Sequence, residues 1–138
     1  MVGAIETGEI VAVAEFRAAL RAFLRRSERI SRRSGLTPQR YLLLLMIQGA
    51  PDGSERSTVT ELSARLQLAQ STVTELVRRA EDAGLVAREQ SQADARVAHL
   101  RLTPEGERRL QASFTGLAAE RAQLREAFAQ LDDPPSAY

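Results

Sequence analysis

Apolar side chains recur every three or four residues through most of this chain and alternate with polar ones over two short stretches, and that change of period orders the elements. Near the N-terminus Val13, Phe16, Leu20, Phe23, Ser27 and Ile30 keep helical spacing. Near the C-terminus Leu110, Phe114, Leu117, Arg121, Leu124, Phe128 and Leu131 keep it again. Between these ends, Val59, Leu62, Ser63 and Leu66 form one mostly apolar helical face, and Val73, Leu76, Val77 and Ala80 form a second. The residues Leu85-Val86-Ala87-Arg88-Glu89 and Val97-Ala98-His99-Leu100-Arg101-Leu102 then alternate as half-buried strands do. Helix, short turn, helix and hairpin in that order make a winged helix-turn-helix. The predicted fold is mainly α with a small β-hairpin. One domain of 138 residues carries a lobe at about 37–103 and long terminal helices at about 8–34 and 104–131.

Local signals fix the boundaries. Thr58 and Glu61 fit a capping box, in which the Thr hydroxyl accepts from the backbone of residue 61 and the Glu side chain reaches back. Residues 67–69 break the chain before a second helix at about Gln70 to Ala83, which Gly84 stops. Thr37-Pro38 starts an earlier helix, with Leu36 and Tyr41 placed as a hydrophobic staple, and Thr103-Pro104-Glu105 starts the final one. Gly49 to Ser54 is rich in turn residues and reads as a loop. Asp132-Asp133-Pro134-Pro135 ends the final helix, and Gly116 stands within it as a place where it can bend.

The candidate chemistry lies on the second helix of the pair and at the hairpin tip. Steps of 100° put Ser71, Thr74, Glu75, Arg78 and Arg79 opposite the apolar stripe. Small hydroxyls near a helix N-terminus permit close approach to base edges and phosphates, and arginine holds a guanine or the backbone. A solvated face with a Glu75–Arg79 pair at i, i+4 is the plainer reading of the same residues. Ser91 to Arg96 has no apolar anchor, so it projects into solvent. An arginine such as Arg96 suits the negative potential of a narrow minor groove, with Asp94 placed to orient its guanidinium. An exposed turn held by an Asp side chain is the alternative.

These segments together resemble the MarR family of bacterial transcription regulators. The likeness is carried by Leu36-Thr37-Pro38-Gln39-Arg40-Tyr41-Leu42-Leu43-Leu44, Thr60-Glu61-Leu62-Ser63-Ala64-Arg65-Leu66, Gln70-Ser71-Thr72-Val73-Thr74-Glu75-Leu76-Val77, Ala83-Gly84-Leu85-Val86, Asp94-Ala95-Arg96, and Leu100-Arg101-Leu102-Thr103-Pro104-Glu105-Gly106. The resemblance implies that the helix from Gln70, with Ser71, Thr72, Thr74, Glu75, Arg78 and Arg79, is a recognition helix for double-stranded DNA. It implies that Arg96 is the wing arginine and Asp94 its companion, and that helices from both chain ends build a homodimer on a pseudo-palindromic operator. It also implies a repressor that answers to a small aromatic or anionic effector and needs no cofactor. Two positions depart from the family's habit: Ala69 stands where a serine is common, and Glu75 is unusual on that face.

Composition narrows the function classes further. The net charge is +1 with 19 basic residues, all of them arginine, so a nucleic-acid surface has to come from local arrangement rather than bulk charge. The chain has no cysteine, which excludes thiol redox switching, disulfides and thiolate metal sites within it. The apolar run from Tyr41 to Ile47 falls far short of the roughly 20 residues a membrane span needs, so a soluble, cytoplasmic protein without membrane partners is expected. The single histidine, His99, has no serine nucleophile and orienting carboxylate patterned with it, and no metal-ligand spacing, phosphate loop or dinucleotide fingerprint appears. The expectation is therefore not an enzyme. The two terminal seams predict a second copy of the chain as partner, against the alternative that they pack only on each other in a monomer. Arg21, Arg25, Arg26, Arg29, Arg32 and Arg33 flank the first seam as a solvated face first, as peripheral phosphate contacts second, and as a membrane anchor a distant third. A winged helix used as a protein–protein interaction module, without specific DNA binding, is the alternative function; it differs in lacking a DNA affinity that falls with salt.

Overall fold

The structure, a computed structural model, describes residues 3–134. Eight elements follow in chain order: α1 (Thr7–Arg33), α2 (Pro38–Gln48), α3 (Val59–Leu66), α4 (Gln70–Asp82), β1 (Val86–Gln90), β2 (Ala98–Leu102), α5 (Pro104–Thr115) and α6 (Ala118–Asp132). The chain divides into two compact units. One comprises Ser31–Ser113; the other is made by the chain up to Ile30 and from Phe114 onward.

In the Ser31–Ser113 unit, each helix starts where a side chain can satisfy the backbone donors that have no partner within the helix. Thr37 caps α2, its Oγ1 accepting from the Arg40 amide at 3.2 Å with Pro38 in the first helical position. Thr58 caps α3 in a complete capping box: its Oγ1 accepts from the Glu61 amide, and Glu61 Oε1 accepts from the Thr58 amide, both at 3.2 Å. Gln67 ends α3 in the left-handed region, at φ 58°, and so turns the chain tightly into α4. Gly84, at φ +75°, ends the turn after α4.

The apolar stripes of these helices close on one core. Leu43, Leu44 and Ile47 of α2, Leu62 of α3, Val73 and Val77 of α4 and Leu100 of β2 are fully buried. The hairpin pairs antiparallel from Val86↔Leu102 to Gln90↔Ala98, so Leu100 and Leu102 line its inner face while Arg101 stays exposed. A bridge that sequence periodicity did not reveal adds Ser57 to the outer side of β2, through Ser57 N–H to Leu100 O at 3.1 Å and Leu100 N–H to Ser57 O at 2.8 Å.

The strand, the turn before it and α5 meet at one joint. Thr103 Oγ1 donates to the Gly84 carbonyl at 2.6 Å and accepts from the Gly106 amide at 3.1 Å, and the Thr103 amide donates to the Leu85 carbonyl at 3.0 Å. Gly106 is the residue over which the Leu85 carbonyl lies, and a side chain there would collide with it.

The other unit corrects the expectation of one continuous C-terminal helix at about 104–131. Helix α5 stops at Thr115 and α6 begins at Ala118, with residues 116 and 117 in a turn. Gly116 is a poor helix former, and the Leu117 amide there takes a three-residue bond to the Phe114 carbonyl at 3.2 Å. Arg121 secures the break, its guanidinium 3.8 Å from the Phe114 ring centre and Nη1 donating to the Phe114 carbonyl at 2.5 Å. Phe16 and Phe128 meet edge to face at 6.0 Å, and Arg26 pairs with Glu120 at 3.4 Å. The seam itself is only partly closed. Leu117, Ser27 and Ile30 are buried, whereas Val13, Phe114 and Phe128 are exposed, and next to Val13 it is Ala12 that is buried on α1. Helix α6 ends at Asp132; Pro135, which the sequence places at the end of the helix, lies outside the described residues. No helix among the described residues is long and apolar enough to cross a membrane.

Candidate nucleic-acid interface

Helix α4 separates its residues by face with no ambiguity. Val73, Leu76, Val77 and Ala80 are buried, while Gln70, Ser71, Thr72, Thr74, Arg78 and Arg79 are exposed and Glu75 is half-buried. The residues expected to read DNA are thus held outward by the burial of their neighbours. Ala69 caps α4 without any side-chain bond. Gln70 Nε2 lies 3.5 Å from Thr60 Oγ1, at the limit of a hydrogen bond.

Glu75 is the hub of this surface. Arg78 presents two nitrogens to its carboxylate, Nε to Oε2 at 3.1 Å and Nη2 to Oε1 at 2.5 Å, and Arg79 adds Nε to Oε1 at 3.1 Å. Arg78 Nη1 also lies 3.6 Å from Asp82 Oδ2. The hydrogen bond from Arg78, followed by the charges of both arginines, holds the Glu75 carboxyl below the ordinary 4.5, so it stays ionised at neutral pH. The i, i+4 pair read from the sequence exists, but Arg78 at i+3 makes the closer, two-point contact.

Seven residues between the strands form the wing tip. Ser91 closes it, its amide donating to the Val97 carbonyl at 2.9 Å and its Oγ accepting from the amides of Ala93 at 3.2 Å and Asp94 at 3.3 Å. Asp94 Oδ1 accepts from the Arg96 amide at 3.0 Å and from Arg96 Nε at 3.2 Å. Those bonds hold the Asp94 carboxyl below its ordinary 3.8, the Arg96 side chain first among the causes. The Arg96 side chain is nonetheless 92% exposed. Asp94 therefore sets the direction of Arg96 without covering it, which joins the turn-forming role and the orienting role in one side chain.

Five charged residues outside the expected set belong to the same unit. Glu89 of β1 receives Arg56 at 3.3 Å and Arg101 at 2.5 Å, and Glu81 of α4 receives Arg88 at 2.9 Å. Strand alternation already placed Arg101 facing outward; Arg88 shares the face of Val86 and Leu100 and reaches Glu81 of α4 from there, and Arg56 had no sequence signal, because the bridge of Ser57 to Leu100 is what brings it beside β2. His99 sits half-buried opposite Glu89 in the hairpin register. Among the described residues, no cluster of three or more histidine, aspartate or glutamate side chains is arranged to hold a metal ion.

Known proteins are similar to this chain in sequence and in fold. YsmB of Bacillus subtilis, an uncharacterized HTH-type transcriptional regulator, is 35% identical over 98 residues, which are 71% of this chain and 62% of that protein. The crystal structure of a MarR family transcription regulator is 27% identical with a TM-score of 0.68, covering 89% of this chain and 79% of its own. The crystal structure of overoxidized AbfR bound to DNA is 26% identical with a TM-score of 0.59, covering 85% and 84%. The profile of the MarR family matches residues 34–97, a span that runs from the turn before α2 to the end of the wing. Over residues 34–97 in sequence, and in fold, the chain is similar to the MarR family, and it spans 62% of the length of the curated relative it matches.

Proposed function

We propose that this protein is a homodimeric, sequence-specific DNA-binding transcription regulator, acting in the cytoplasm as a ligand-responsive repressor. The observation that carries this reading is the outward polar face of α4 beside an exposed wing arginine, in one compact unit. In it α4 enters the major groove, where Gln70, Ser71, Thr72, Thr74 and Arg78 meet base edges and phosphates, and Arg96 enters the adjacent minor groove. A related fold of known structure is bound to DNA.

Pairing of two copies is supported by the side chains left uncovered in the terminal unit: Ile10, Val11, Val13, Leu24, Phe114 and Phe128 are large, apolar and exposed. A two-fold pair presents two α4 helices to one face of the duplex, so the operator is a pseudo-palindrome with half-site centres about 10 base pairs apart. The effector is of small aromatic or anionic chemistry, a reading supported by likeness to the MarR family alone. With no cysteine in the chain, the response does not run through a thiol.

Selection of bound duplexes from a random pool tests the reading. The expected product is an inverted repeat with that spacing, bound by two chains and released as salt rises. Enrichment of no sequence, or of single half-sites at full affinity, refutes it.

A further inference from the structure

Every arginine on the hairpin and on the exposed face of α4 is held by a carboxylate of the same unit. Arg96 is held by Asp94, Arg88 by Glu81, Arg101 by Glu89, and Arg78 and Arg79 by Glu75. At the middle of α4, two guanidiniums face the two carboxylates of Glu75 and Asp82, so the part of the helix expected to meet DNA has no net charge. Exposed pairs of this kind add little to folding stability. Their larger consequence is on the field that a polyanion meets.

Geometry sharpens the point. Glu75 occupies Nε and Nη2 of Arg78, which form the edge a guanidinium uses to grip a pair of acceptors. Guanine O6 and N7 need that edge, and so does a bidentate phosphate contact. A lone phosphate competes with a carboxylate that already satisfies the edge at 2.5 and 3.1 Å, and it also approaches the Glu75 charge. A guanine brings two acceptors without a formal charge.

Resting on the proposed DNA-binding function, we infer that Glu75 is a specificity-determining residue of α4: it holds Arg78 and Arg79 neutralised and pre-oriented, so that non-specific backbone binding is suppressed and only a base pair offering the right acceptors draws Arg78 away. Glu75 touches the arginines rather than the DNA, and it acts as a positioning residue.

The test compares the full chain with its Glu75→Gln variant, which keeps the side chain's shape and removes its charge. Affinity for the selected operator and for a scrambled duplex is measured by fluorescence anisotropy across a salt series. Unmasking one positive charge per recognition helix steepens the salt slope by about 0.9, which at 0.1 M salt is a gain of roughly eightfold per helix on scrambled DNA. The ratio of operator to scrambled affinity falls correspondingly. A purely structural role for Glu75 leaves the slope unmoved, and Glu75→Ala, if it folds with the parent's circular dichroism, shifts the slope in the same direction as Glu75→Gln. If Glu75→Gln leaves the slope and scrambled affinity unchanged, or loses operator affinity at one C·G position alone, the inference is overturned while the DNA-binding function stands, and in the second case Glu75 reads a cytosine amine directly. If the unsubstituted chain binds neither duplex, both fall.

Discussion

Gly106 lies in the first turn of α5, where alanine is ordinarily the better residue by about 1 kcal/mol. The structure reverses that expectation. A Cβ on Gly106 would run into the Leu85 carbonyl oxygen, stand 3.1 Å from its carbon and 3.4 Å from Leu102 Cβ. The carbonyl has to withdraw by roughly 1 Å to restore an ordinary carbon–oxygen separation. It is not free to do so, because it accepts from the Thr103 amide at 3.0 Å and its neighbour Gly84 accepts from Thr103 Oγ1 at 2.6 Å. Overpacking of this kind costs about 1–3 kcal/mol, and weakening one backbone bond adds about 1 kcal/mol. Set against the helix-propensity gain, Gly106→Ala should destabilise the fold by about 1–3 kcal/mol, lowering Tm by about 3–10 °C. Urea denaturation followed by circular dichroism measures it, with Gly53→Ala as a comparison in which the new Cβ meets nothing within 4 Å and only the left-handed backbone is strained. An unchanged or raised midpoint for Gly106→Ala would mean that the joint between the hairpin and α5 yields, and the steric argument fails.

Three further outcomes follow from the geometry. Arg96→Ala should leave Tm unchanged, weaken operator binding roughly tenfold and abolish the preference for A·T-rich flanks, as read by anisotropy on flank variants; retained flank preference refutes a minor-groove role. Val13→Glu with Phe128→Glu should raise the dimer dissociation constant at least about 100-fold while circular dichroism is kept, because both side chains are exposed in the single chain and the charges would be buried in the pair; sedimentation showing the unsubstituted chain as a monomer at micromolar concentration removes the premise. The Glu105 carboxyl is held below 4.5 by hydrogen bonds from Arg108 and then Arg109, so its contribution to stability is full above the unfolded value and is lost as pH falls through the lowered folded one. Thermal melts from pH 6 to pH 3 should therefore show a fall that Glu105→Gln makes shallower; equal slopes contradict it.

The winged helix was legible in the sequence because its signals are local. Thr58 with Glu61, Thr37 with Pro38, and the alternation through Leu100 and Leu102 each act within a few residues, and each lies where the sequence placed it. The outward face of α4 was legible for the same reason, since burial of Val73, Leu76, Val77 and Ala80 determines it. What escaped was set by contacts distant in sequence. Arg56 reaches Glu89 across 33 positions through the Ser57 bridge, and the collision waiting at Gly106 involves a carbonyl 21 residues earlier. The break at residues 116 and 117 lay between these cases. Gly116 marked the spot, but a glycine that bends a helix and one that ends it look alike in a periodic pattern, and Leu110, Leu117, Leu124 and Leu131 keep a seven-residue spacing straight through it.

Ala69 has a consequence for motion. Without a side-chain acceptor at the N-cap, the amides of the first turn of α4 have no partner from the cap. The first turn of α3, closed by Thr58 and Glu61, has both. The two helices of the motif therefore differ in how readily their starts open, and hydrogen exchange should run faster at residues 70–72 than at residues 59–61. The end of α4 that carries Gln70, Ser71 and Thr72 is the loosest part of an otherwise well-anchored helix. On the proposed function, ordering it on a duplex has an entropic cost that every sequence bears alike, so this looseness would lower affinity across the board and leave the discrimination between sequences to the firmly held arginines about two turns further on.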